Sequence, residues 1–129
     1  MSGLTYRSYK TILDEIKMLG FNTVRILFCS EMFIQSQPMP GSVDFNLNPD
    51  LANLTPLQCL DQIVKYCGAI GLRIILSRES SKADAGYNEL LWFIPGDPYY
   101  TQSQFVTDLK MLAKRYAGTM NNFNETFFY

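Results

Sequence analysis

Residues 20–31 read "GFNTVRILFCSE", and this stretch decides the fold. Val24, Ile26, Leu27 and Phe28 make a short apolar run that opens after a glycine, the pattern of a buried strand. Arg25 stands in the middle of it. A guanidinium keeps its charge, and burying it without a partner costs several kcal/mol, so the strand predicts that a partner is waiting.

Upstream, Tyr9, Ile12, Leu13, Ile16 and Leu19 recur at helical spacing, and Gly20 follows where a left-handed residue ends a helix. Downstream, residues 29–54 are polar and carry the turn-forming tracts "QPMPG" and "NLNPD". A second helix then opens on a capping box: Thr55 as N-cap, Pro56 in the first turn and Gln58 three residues after the cap. Leu57, Leu60, Ile63, Val64, Cys67 and Ile70 form its apolar stripe, and Gly71 ends it. "LRIIL" at 72–76 reads as a second strand, and a loop runs to about Tyr100. A third helix starts near Thr101 or Ser103, carries Phe105, Leu109, Leu112 and Tyr116 on one side, and closes at Gly118.

The expected order is therefore α-β-α-β-α, with "MLGFNTVRILF" and "AIGLRIIL" as a weak internal repeat. Apolar strands alternating with helices predict a parallel sheet covered on both faces. The helix-to-strand joints are very short, whereas both strand-to-helix loops are long. Long loops at the carboxyl ends of parallel strands mark the functional face of a (β/α)₈ TIM barrel or an open α/β sheet. No Gly-rich phosphate loop follows either strand, which disfavours a nucleotide-binding domain. Two strands alone would leave both sheet edges open to association.

Composition narrows the chemistry. The 129 residues are 47% hydrophobic and 18% charged, enough for one domain with a core. A net charge of −1 gives no reason to expect nucleic acid or an anionic membrane as partner. No apolar run nears the ~20 residues that span a bilayer. The first ten residues are polar and lack the apolar middle of a signal peptide, so no export is expected from them. With no histidine, a Ser-His-Asp or Cys-His arrangement and a His-ligated metal are excluded within this chain, and no cofactor is implied. Cys59 and Cys67 fall about 12 Å apart along one helix, too far for a disulfide. They and Cys29 read as small buried hydrophobes. Sequons stand at Asn53 and Asn124. Asp14, Glu15, Lys17, Lys110, Lys114 and Arg115 read as helix surface charges.

"SYKTILDEIKMLGFNTVRILFCSEMF", "SVDFNLNPDLANLTPLQCLDQIVKYCGAIGLRIIL", "LLWF" and "LKMLAKRYAG" together resemble the cellulase-like members of glycoside hydrolase family 5. The resemblance runs in order over residues 3–118, with 119–129 as a divergent tail. It implies part of a (β/α)₈ barrel, holding the second and third strands of a retaining enzyme that cleaves β-1,4-glucans and related polysaccharides. A secreted parent acting on β-glucan, with two catalytic glutamates about 5–5.5 Å apart, is the expectation that follows.

By the same resemblance, Arg25 matches an active-site arginine that orients a catalytic carboxylate from another strand. Ser77-Arg78-Glu79 stands where the family usually has Asp-Arg-His, so Arg78 matches while Glu79 replaces a sugar-contacting histidine. Glu79 is expected to take the place of the missing carboxylate, within about 4 Å of Arg25. Trp92 matches a family tryptophan that either stacks on a sugar or anchors its loop. Asn124-Glu125-Thr126 resembles the motif ending the fourth strand, but comes early after Gly118 and follows no apolar strand. Glu125 is thus the one candidate acid/base, and no nucleophile is assigned. The chain is expected to be a fragment without turnover of its own. The alternative is a carbohydrate-binding pseudo-enzyme or the relic of a longer gene.

Overall fold

The computed structural model describes residues 3–84, 91–118 and 127–128. Helix α1 covers Tyr9–Met18, strand β1 Thr23–Cys29, α2 Pro56–Ala69, β2 Arg73–Ser80 and α3 Gln102–Tyr116. A two-residue strand, β3, follows at Phe127–Phe128. The helix ends obey local chemistry. The Thr55 hydroxyl accepts from the Gln58 amide while the Gln58 side chain accepts from the Thr55 amide, so both halves of the capping box form. Gly20, with φ +89°, takes the left-handed position after α1.

The strands pair in parallel in the order β1-β2-β3. The expected α-β-α-β-α order holds, and β3 adds a short partner on the second edge of β2, opposite Ile75 and Leu76. β2 runs past the expected Leu76 because its polar end, Ser77 to Ser80, keeps pairing with β1. The ladder slips once: Phe28 faces Arg78, but Cys29 faces Ser80, which leaves Glu79 as the extra residue of a β-bulge.

One core lies between the sheet and its helices. Val24, Ile26, Phe28, Leu72, Ile74 and Leu76 meet Leu13, Leu60, Ile63, Cys67 and Leu112 there. Arg25, Leu27, Ile75 and Ser77 alternate onto the opposite face, which no helix covers among the described residues. Helices thus lie on one face rather than the expected two. Cys59 and Cys67 are buried, and burial pushes their thiols up to about 11 and about 12; Cys29 is half-buried rather than buried.

Residues 29–54 hold two 3₁₀ turns, Ser30–Phe33 and Pro49–Leu51, the second opening within the turn-forming tract "NLNPD". Asn48, fully buried, pins this segment to the start of α1. Its Oδ1 accepts from the Tyr9 amide at 2.9 Å, and its Nδ2 donates to the carbonyls of Leu4 (3.1 Å) and Asp44 (3.0 Å). Nearby, Tyr9 Oη donates to Asp50 at 2.7 Å and Lys10 pairs with Asp50 at 2.8 Å. Burial works against ionisation of Asp50, but these two hydrogen bonds outweigh it and hold the carboxyl below its usual range. Asp61 of α2 receives a fork from Arg115 of α3 and a further bond from the Tyr116 hydroxyl, so Arg115 is an interhelical tie rather than a free surface charge.

Candidate functional site

The polar groups collect where β1 and β2 end. Arg78, at the end of β2, donates from Nε to Ser30 Oγ at 2.9 Å and from Nη2 to Ser81 Oγ at 2.5 Å. Ser30 begins the 3₁₀ turn after β1, so this one guanidinium joins the two strand ends. It also sits 5.2 Å from the centre of the Phe105 ring. The other neighbour of Phe105 is Trp92, with centroids 4.9 Å apart and planes tilted by 57°. Trp92 packs against Phe93 as well, yet is 45% exposed, so part of its indole faces solvent. Ser30, Arg78, Trp92, Tyr99, Phe105 and Asp108 line a small open cleft.

The walls of this cleft are locally braced. Asp97 Oδ1 accepts from the amides of Tyr99 (2.7 Å) and Tyr100 (3.1 Å), which sets the turn presenting both rings. Those two amides hold the Asp97 carboxyl below its usual range. Glu31 Oε2 accepts from the Ala83 amide at 2.7 Å, and its own amide donates to the Ser81 carbonyl, tying the first loop to the second. Asp108 is only 8% exposed and accepts from Gln104 Nε2 at 2.8 Å. Burial raises its carboxyl, against the opposing pull of the Gln104 bond and the Arg78 charge.

The raised carboxyl of Asp108 has a measurable sign. The folded state holds this proton more tightly than the unfolded chain, whose carboxyl titrates near 3.9. The contribution is therefore most favourable below about pH 4 and is lost as pH rises from there through the folded value. Asp108→Asn should melt higher relative to the parent as pH increases above about 4, then run parallel to it. A gap that narrows over that range would mean that the ionised carboxylate, facing Arg78, stabilises the fold.

The expected site residues are only partly brought together. Arg78 and Trp92 meet across Phe105. Arg25 does not lie near the end of its strand: it is the third of seven residues, roughly 13 Å short of Cys29 along the chain. It is exposed on the helix-free face, so no buried charge demands a partner. Glu79 is exposed too, and makes no ion pair with Arg25. The register explains this, because Arg25 faces Ile75 and Glu79 sits four residues further along, on the bulge. Asn124 and Glu125 lie outside the described residues. Residue-level reading missed Ser30, Tyr99 and Asp108. For Asp108 a signal existed: it stands three residues after Phe105 and four before Leu112, an acid set into an apolar stripe.

Parallel strands backed by helices, with a polar and aromatic cleft at their carboxyl ends, define a section of a (β/α)₈ TIM-barrel wall. Residues 1–124 match the family model described as cellulase, glycosyl hydrolase family 5. The chain belongs to that family. It is 35% identical to an endoglucanase of Paenibacillus polymyxa over 116 residues, 90% of this chain and 28% of that protein. It is 37% identical to the major extracellular endoglucanase of Xanthomonas campestris pv. campestris, over 90% of this chain and 23% of that protein. Among solved structures, an endocellulase of Pyrococcus horikoshii in complex with cellotetraose superposes with a TM-score of 0.78 at 30% identity, covering 94% of this chain and 30% of that one. The catalytic domain of the Xanthomonas enzyme superposes with a TM-score of 0.72 at 33% identity, covering 91% of this chain and 32% of that one. The chain thus spans about a quarter of the curated relatives it matches.

Proposed function

We propose that residues 3–118 form the second and third strands, with their helices, of a retaining glycosidase barrel that acts on β-1,4-glucan outside the cell, and that these 129 residues alone turn over no substrate. The observation that carries the reading is the Arg78–Phe105–Trp92 cleft at the carboxyl ends of the strands, in a chain of the cellulase family. The half-exposed indole offers an apolar face of the kind that stacks on a pyranose ring, while Phe105 fixes its other side. Arg25 fits a role beyond this chain: with Leu27 and Ile75 it occupies the face that becomes the interior of a closed barrel, where a carboxylate from another strand would meet it.

Double displacement requires an acid to protonate the leaving oxygen and a second carboxylate to attack from the opposite side, about 5–5.5 Å away. Several carboxylates near the strand ends are already engaged. Glu31 is held by Ala83, Asp97 by Tyr99 and Tyr100, and Asp108 by Gln104. Glu79 is exposed on its bulge and has no partner among the described residues. Glu125 lies outside the described residues. The test is hydrolysis of soluble β-glucan and of an aryl β-cellobioside, by the chain and by Glu125→Gln. No turnover is expected from either. Activity that survives purification and vanishes in Glu125→Gln would restore Glu125 as the acid/base and overturn the proposal.

A further inference from the structure

The sequon Asn53-Leu54-Thr55 falls at an exposed turn, between the 3₁₀ turn Pro49–Leu51 and the first residue of α2. We propose that Asn53 is an acceptor for an N-linked glycan at the mouth end of α2. Asn53 has φ +61°, a left-handed conformation that asparagine tolerates better than most residues. Its side chain is exposed and makes no hydrogen bond among the described residues. On one side Leu51 is fully buried, and on the other Leu54 packs against the core. The backbone is therefore pinned on both sides of an amide that stands free in solvent.

Thr55 is already the N-cap of α2, which raises the question of whether capping and glycosylation compete. They use different atoms. In the cap the Thr55 oxygen accepts from the Gln58 amide at 3.2 Å, which occupies a lone pair. The hydroxyl proton stays available as a donor, and that is what the third position of a sequon contributes. The reaction takes its sugar from a lipid-pyrophosphate-linked oligosaccharide. A bond forms between the Asn53 amide nitrogen and the anomeric carbon, the bond from that carbon to the pyrophosphate oxygen breaks, and the amide proton passes to a base of the transferase. The pyrophosphate leaves with the electron pair, so no oxidant or reductant is involved.

The inference rests on passage through a eukaryotic secretory route, and the experiment supplies that route independently of any hydrolase activity. The full chain carrying Asn124→Gln is expressed in yeast behind an added signal peptide, so that one sequon remains. It is compared with the same chain carrying Asn53→Gly as well, which keeps the left-handed turn and removes the acceptor. Total cell protein and medium are both read, so a chain retained before release still reports. One endoglycosidase-sensitive step in mobility is expected in the first and none in the second. A first chain with no such step, or a step that persists in Asn53→Gly, would overturn the proposal.

Discussion

Asn48→Leu is expected to lower stability by about 3 kcal/mol, among the largest losses available to a single substitution here. Leucine has the same four-atom branched skeleton as asparagine, though bulkier, and offers neither donor nor acceptor. The Tyr9 amide then loses its bond to Asn48 and is left as a buried donor at the start of α1. An unmet buried group of this kind costs about 1–3 kcal/mol. The carbonyls of Leu4 and Asp44 each lose one of two bonds, since backbone amides still reach them. Their partial loss adds to the first. Against a domain stability of about 5–15 kcal/mol, this is enough to release the 3₁₀ turn Pro49–Leu51 and the N-terminus of α1 together. Asn48→Asp separates the two halves of the network, because it keeps the acceptor for Tyr9 but loses the donor and buries a charge. It should be worst at neutral pH and recover as pH falls, when the added carboxyl protonates. Urea melts followed by far-ultraviolet circular dichroism read both variants. A midpoint for Asn48→Leu that corresponds to less than about 1 kcal/mol would remove Asn48 from its place as the hub of this segment.

Leu112→Ala should cost about 3–4 kcal/mol and do so mainly by loosening α3. Leu112 is fully buried, while the other buried residues of the helix, Asp108 and Tyr116, carry polar groups that do not replace its contacts. The bond of Tyr116 and the fork of Arg115 to Asp61 would then hold only the C-terminal end of α3. The other end carries Gln104 and Phe105, the floor on which Trp92 and Arg78 rest. Because Trp92 is the only tryptophan, its fluorescence reports this floor directly. The expected result is faster amide exchange throughout α3 together with a shift in Trp92 emission. Val106→Ala, at a position 44% exposed on the same helix, should change stability by less than about 0.5 kcal/mol and leave the emission alone. Equal effects of the two substitutions would contradict the packing described for α3.

Much of the fold was legible in the residues because its signals are local. The period of Tyr9, Leu13 and Ile16, the capping box of Thr55 and Gln58, and the glycines at 20 and 71 each act within a few positions. Such signals survive whatever the rest of the chain does, so the helices fall within a residue or two of expectation. The family and the barrel class followed from the order of those elements together with the quoted tracts. Trp92, which lines the cleft, was marked through the family resemblance, with sugar stacking and loop anchoring both left open.

What the residues could not reveal depends on partners distant in the chain. Arg25 reads as buried in a one-dimensional apolar run, and only the sheet, with its helices on one side, shows that the alternate face is open. The pairing of Arg25 with Glu79 failed because Arg25 faces Ile75 in the ladder, which leaves Glu79 four residues beyond the arginine's row, on a bulge. Asn48 looked like turn composition, yet its bonds span 39 to 44 residues to Tyr9 and Leu4. Arg115 looked like surface charge, yet it closes a fork 54 residues away. The sequence by itself determined the three helices, the two longer strands and their order, because periodicity and capping are short-range, while the family was carried by the quoted tracts. The tertiary structure alone decided which charges are buried, which are tied and which stand free, because burial and pairing are properties of neighbours that only folding supplies.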